Sequence, residues 1–261
     1  MTARVFFLIL LVTLLFLLDL GLGSVNVPIA DVLNILMGKG SDHLAWENII
    51  LKIRLPRSVT AVLAGGALAL AGLQMQTLFR NPLAGPSILG ITAGASFGVA
   101  AVMLASGSAA TAFAIKAMGI GGSWLIILAS TLGALLVLLV ILAISYKIRD
   151  NIIMLIVGIM VANITIAIIS IWQYFSNPEQ IQEYLLWTFG SLGGVTNHQL
   201  GILAIVVALG TLGTFGLSKT LNVLLLGEDY AQSMGLNIRK ARLLIIVITS
   251  VLAGAITGFC G

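Results

Sequence analysis

The sequence predicts an all-α transmembrane helical bundle, and two observations carry that. Of the 261 residues, 59% are hydrophobic and only 8% are charged, with mean hydropathy +1.14. A water-soluble domain carries about 25% charge, so that class is excluded. Apolar runs also recur along the chain, each near the roughly 20 residues a helix needs to cross a bilayer core. In lipid the helix satisfies its own backbone, which leaves it the natural form for such runs. The single cysteine, Cys260, excludes an internal disulfide and a thiolate cluster. The two histidines, His43 and His198, lie far apart and form no metal-ligand pattern. No Walker A pattern and no H-E-x-x-H string occurs. Nothing points to a reaction catalysed by this chain, and neither a bound cofactor nor a nucleic-acid partner is expected.

The first span is expected over Val5 to Leu20. A signal peptide is the competing reading, but Asp19-Leu20-Gly21 stands where an A-x-A cleavage pattern would be needed. Residues 24–52 read as a loop. Within it Ile29, Val32, Leu33 and Leu36 recur at helical spacing, which predicts a short helix over 28–37. Further spans are expected at 58–79, 88–105, 123–145, 152–172, 198–217 and from 243 onward, about seven in all. Between them lie a loop over 107–122, a charged turn over 146–151, a connection over 173–197 and a polar stretch over 218–242. The aromatics of the 173–197 connection read as interfacial anchors.

Charge placement sets the orientation. With Arg4 inside, the inner set is Arg4, Arg80, Lys147, Arg149, Lys219, Arg239, Lys240 and Arg242. The outer set is Lys39, Lys52, Arg54, Arg57 and Lys116. The bias favours this orientation. The outer exceptions gather just before the second span.

The chain is organised around residues 54–95. A basic head, Arg54-Leu55-Pro56-Arg57, precedes the uncharged run from Ser58 to Phe79. Ala61, Gly65 and Ala69 lie four apart and make a smooth helix stripe, of the kind that lets helices approach closely in lipid. Then Arg80-Asn81-Pro82-Leu83-Ala84-Gly85-Pro86 breaks the helix, because its prolines remove two donors and disfavour helical geometry at Asn81 and Gly85. Two readings stand: an ordinary turn, or irregular backbone lining a transport path. Later, Gly227 and Gly235 bracket a short helix whose first turn carries Glu228 and Asp229, suited to the positive end of a helix dipole. A second short helix is expected from Asn237 to Arg242.

These strings resemble the FecCD-type permeases, the membrane subunits of type II ABC importers for iron-siderophores, haem and vitamin B12. The resemblance is carried by RLPR at 54–57, the G-A-L-A-x-A-G-x-x-x-Q pattern from Gly66 to Gln76, R-N-P-L-A-x-P from Arg80 to Pro86, and L-G-x-x-x-G-A from Leu89 to Ala95. A W-x-x-G-S-L-like segment near Trp187 and L-G-x-x-x-A-x-x-x-G from Leu226 to Gly235 add to it.

The resemblance implies a permease subunit in the bacterial cytoplasmic membrane, a homodimer or a pseudo-dimer with a related chain, importing a metal chelate by alternating access. ATP and Mg would sit on a partner ATPase, and an extracytoplasmic binding protein would deliver the substrate. It implies that Arg54 and Arg57 dock the binding protein. Asn81 and Leu83, with Asp150 and Asn151 in the turn between the fourth and fifth spans, would form the cytoplasmic gate. Gly227, Glu228, Asp229, Ala231, Gly235 and Arg239 would belong to the loop that couples to the ATPase. Family members have about ten spans, so the resemblance also implies a single permease domain over 1–261 that is incomplete at its C-terminus. Two other readings are an ion-coupled secondary transporter, which calls for ionisable groups at mid-span, and a non-transporting membrane scaffold.

Overall fold

A computed structural model describes residues 2–41, 43–104, 120–145, 147–148 and 150–261. The expected loop over 107–122, including Lys116, falls mostly outside these residues, as do Tyr146 and Arg149. Every regular element among the described residues is helical. Among the described residues six helices are long and apolar enough to cross a membrane: Ala3–Gly21, Leu44–Phe79, Gly122–Ser145, Ile152–Phe175, Asn197–Gly216 and Ile238–Cys260. The described residues group into two compact units, 1–63 with 192–201, and 64–191 with 202–261.

In the first unit, α1 (Thr2–Gly21) is followed by α2 (Ile29–Leu36), α3 (Leu44–Ile49), a π turn (Ile50–Arg54) and the start of α4 (Leu55–Phe79). Leu20, Val27, Val32, Ile35 and Ile50 form its core. Val32 and Ile35 are the buried pair of α2, so the helical spacing read in the sequence is the one the fold uses. The expected loop is shorter than the sequence suggested. Helix resumes at Leu44 and runs through the π turn into α4, with Ile50 fully buried at the junction.

The second unit holds the rest of α4, then a 3-10 turn (Pro86–Leu89), α5 (Ile91–Met103), α6 (Ile120–Ser145), α7 (Asn151–Phe175), α8 (Pro178–Thr188), most of α9 (Asn197–Gly216), α10 (Ser218–Leu225), α11 (Glu228–Ser233) and α12 (Ile238–Cys260). The expected third span starts late because Gly90, at φ +73°, separates the 3-10 turn from α5. The closest helix packing is between α5 and α6. A Cβ added at Gly98 would stand 1.9 Å from the Ala129 carbonyl oxygen, and one at Gly133 would stand 2.1 Å from that of Gly94. Small residues thus set a backbone-to-backbone contact, the form of packing that lipid favours. On α7, a Cβ at Gly158 would meet the Ile88 carbonyl oxygen at 2.6 Å, so the 3-10 turn seats directly on that helix. In α4 the expected Ala61, Gly65 and Ala69 stripe faces outward, while Ala64, Ala67, Ala71 and Met75 are buried.

Two elements differ from the sequence reading. Helix α8 lies inside the expected 173–197 connection. Pro178 occupies its first turn, and the Gln180 side chain accepts from the Asn177 amide at 3.2 Å. Gln180 also donates to the Met103 carbonyl oxygen, fastening α8 to the end of α5. Beneath it Tyr184 is packed with Val99, Ala100 and Ile169, and burial raises its phenol pKa, an effect that a hydrogen bond with Ser96 opposes. Second, the short helix expected from Asn237 to Arg242 is the first turn and a half of α12. Asn237 caps it by accepting from the Lys240 amide at 3.1 Å. Ala241, Arg242, Ile245 and Ile246 then continue one buried face, and no Pro or Gly interrupts the run until Gly254.

Candidate functional site

The two arginines of the basic head have different environments. Arg54 is 6% exposed. Its guanidinium donates to the carbonyl oxygens of Leu20 at 2.8 Å, Gly21 at 2.9 Å and Val25. Those of Leu20 and Gly21 belong to the last turn of α1, where the helix leaves acceptors unpaired and its dipole is negative. Gly23 makes room for the group, since a Cβ there would lie 2.6 Å from Arg54 Nη2. Arg54 is therefore a clamp on the end of α1, and its charge does not reach the surface. Arg57 is 46% exposed and pairs with Asp19 at 2.6 Å. Ser58 donates to the other Asp19 oxygen. Asp19 is thus committed to two partners at the end of its helix.

The broken segment after α4 begins with a helix stop. The Asn81 amide reaches the Gln76 carbonyl and the Arg80 amide that of Thr77, the paired bonds that commonly end a helix on glycine. Here Arg80 takes the left-handed position at φ +48°, a strain of about 1 kcal/mol for a residue with a Cβ. Its guanidinium extends to Gly227, where an added Cβ would lie 3.6 Å from Arg80 Nη1. Asn81 Oδ1 accepts from the Leu83 amide at 2.9 Å, which fixes the turn. Leu83 itself is 87% exposed. Across the unit, Asp150 caps α7 by accepting from the amides of Ile152 and Ile153 at 2.7 and 3.3 Å. The side chain of Asn151 falls outside the described residues. Ala84, Leu89 and Met154 belong to one buried cluster, so that core joins the broken segment and the start of α7.

Helix α11 is bracketed as expected, by Gly227 at φ +114° and Gly235 at φ +84°. Ala231 is fully buried in the main core and anchors the helix, so it cannot offer a surface contact. The outward face carries Asp229, Gln232 and Ser233, with Leu226 62%, Tyr230 54% and Met234 60% exposed. Sequence reasoning passed over these three apolar residues. Their spacing of four within a polar loop was the available signal. Arg239 is exposed in the first turn of α12. Arg242, by contrast, is buried. It donates to the Ile148 carbonyl oxygen at 2.9 Å and pairs with Glu228 at 3.3 Å. A cleft of about 460 Å³ opens beside it, lined by Ser145, Ile148, Glu228, Gln232 and Arg239 among others.

A bundle of apolar helices with a structured polar loop defines a multi-pass membrane protein, 84% helical in its described structure and without strands. Residues 10–261 match the FecCD transport family, and the chain belongs to that family. It is 31% identical over 249 residues to the hemin transport system permease protein HmuU of Yersinia pestis, covering 95% of this chain and 72% of that one. It is 34% identical over 256 residues to the vitamin B12 import system permease protein BtuC of Klebsiella pneumoniae, covering 97% and 70%. Across such curated relatives it spans between 62% and 74% of their length. A solved inward-facing ABC transporter, assigned to the metal-chelate type, superposes with TM-score 0.83 at 24% identity, covering 100% of this chain and 77% of that one. That likeness shows a shared fold.

Proposed function

We propose that this chain is the permease subunit of an ATP-driven importer in the bacterial cytoplasmic membrane, moving a metal chelate of the siderophore, haem or corrinoid class by alternating access. It works as a dimer with two ATPase subunits, which hold ATP and Mg, and with an extracytoplasmic binding protein. The chain supplies no catalytic group. It converts movement at α11 into altered access along its spans. Arg57 docks the binding protein, Asn81, Leu83, Asp150 and Asn151 shape the inner gate, and Gly227 to Arg239 meet the ATPase.

The observation that supports this best is α11. It is a short helix held between two left-handed glycines, pinned from behind by Ala231, with apolar side chains left outward. Exposed apolar residues rimmed by polar ones mark a protein contact. Asp19 weighs against an ion-coupled carrier, because its carboxylate is already held by Arg57 and Ser58. The test places Ser233→Cys in a Cys260→Ser background and co-expresses the ATPase. A crosslink that shifts with nucleotide is expected. Free labelling of Ser233→Cys and Tyr230→Cys in an assembled complex, with no crosslink at either, would refute the contact.

A further inference from the structure

Arg242 joins three separate pieces of chain. It stands in the second turn of α12, its Nη2 meets Glu228 at the first residue of α11, and its Nη1 meets the backbone of Ile148 in the turn that leads into α7. We infer that Arg242 is a positioning residue that transmits movement of α11 to the N-terminus of α7. The inference rests on the reading of α11 as the ATPase contact and assigns the route by which that contact reaches the gate.

Three features carry it. Arg242 is 5% exposed, while a third of the Glu228 side chain remains exposed, so the guanidinium itself is held largely out of water and its bonds are strengthened accordingly. Its planar fork holds two acceptors at fixed angles, which an ammonium on a flexible stem does not. The Ile148 carbonyl lies two residues before Asp150, and Asp150 holds the first amides of α7. Displacing that carbonyl therefore displaces the helix cap. The cleft lined by Ile148, Glu228 and Gln232 leaves space between α11 and the turn, and the guanidinium bridges it. Ile148, Leu236 and Ile238 also pack on the main core, so an apolar contact runs beside the bridge that Arg242 makes.

The test uses the complete permease–ATPase complex in liposomes, in a Cys260→Ser background. Ser233→Cys reports on α11, and Lys147→Cys, on an exposed residue beside Ile148, reports on the turn. Labelling rates are measured with and without a non-hydrolysable ATP analogue. In the parent both rates should respond. In Arg242→Met the Ser233→Cys response should persist, the Lys147→Cys response should vanish, and transport per ATP should fall on the order of tenfold. Arg242→Lys should recover part of it. Glu228→Gln keeps the Ile148 bond and should weaken the Lys147→Cys response while sparing the other. Should Arg242→Met fail to assemble, Glu228→Gln decides. An undiminished Lys147→Cys response in whichever of the two variants assembles overturns the proposal. A parent whose Ser233→Cys site ignores nucleotide overturns the ATPase contact itself, and the transmission role with it.

Discussion

Arg54 and Arg57 stand three residues apart in the same basic head, yet only one presents its charge outward. Arg54→Met removes a buried cation from three carbonyl oxygens. Hydrogen bonds to charged groups are worth about 1.5–3 kcal/mol, so denaturation in detergent should show a loss of that size. Arg57→Glu leaves that clamp intact and places a second carboxylate beside Asp19. It should cost little stability, since exposed pairs contribute about 0.2–1 kcal/mol. It should weaken the binding protein's affinity and flatten the salt dependence of the complex. An Arg57→Glu permease that binds its partner with unaltered salt dependence would remove the docking role. Leu83 invites a third measurement. A leucine 87% exposed at a rigid turn contributes little to the monomer's core. Leu83→Ala should leave stability within about 0.5 kcal/mol, as surface changes do, and raise ATP-independent leak in liposomes. An unchanged leak would reduce the segment to a turn.

The element that tolerates least change is the α5–α6 pair. Gly98→Ala would bring a Cβ to 1.9 Å from backbone, where no rotamer can relieve it. Overpacking typically costs about 1–3 kcal/mol, and backbone contact puts this variant at or above the top of that range. Loss of assembled protein on a native gel is the expected result, and wild-type thermal stability would contradict the packing. Between α4 and α9, Gln74 donates to Thr214 at 2.9 Å inside the bundle. Thr214→Val should cost only about 0.6 kcal/mol, the average for such bonds in a membrane. The sequence showed the spans because lipid demands long apolar runs, and it showed α11 because left-handed turns demand glycine at Gly227 and Gly235. It hid α8, whose polar Glu179, Gln180 and Gln182 dilute the apolar signal; only the Asn177-Pro178 start and Gln180 marked it. It hid the extent of α12 because Arg239, Lys240 and Arg242 look like loop until the buried face through Ala241 and Ile245 is seen. The role of Arg54 was equally out of reach, since the carbonyls it clamps lie more than 25 residues away.

For the whole molecule, the family's orientation has a direct check. Between Arg57 and Ser233 lie α4, α5, α6, α7 and α9, an odd number of crossings if each traverses the bilayer. Arg57→Cys and Ser233→Cys should therefore label from opposite sides with a membrane-impermeant reagent. Labelling from one side would mean that one of these helices does not cross, and α5, at 13 residues, is the shortest of them.

The unbroken course of α12 has a mechanical result. Its 23 residues, at about 1.5 Å each, make a rod of roughly 35 Å. One end starts three residues beyond Gly235, beside the surface that α11 presents. At the other end the Cys260 carbonyl accepts from the Ser191 amide at 2.6 Å, just beyond α8. With no proline in the rod to absorb a bend, a tilt of about 5° pivoted at one end sweeps the opposite end through roughly 3 Å, given that length. Leverage of this kind lets a small push on one side of the bilayer be felt on the other without any wave of local rearrangement between them.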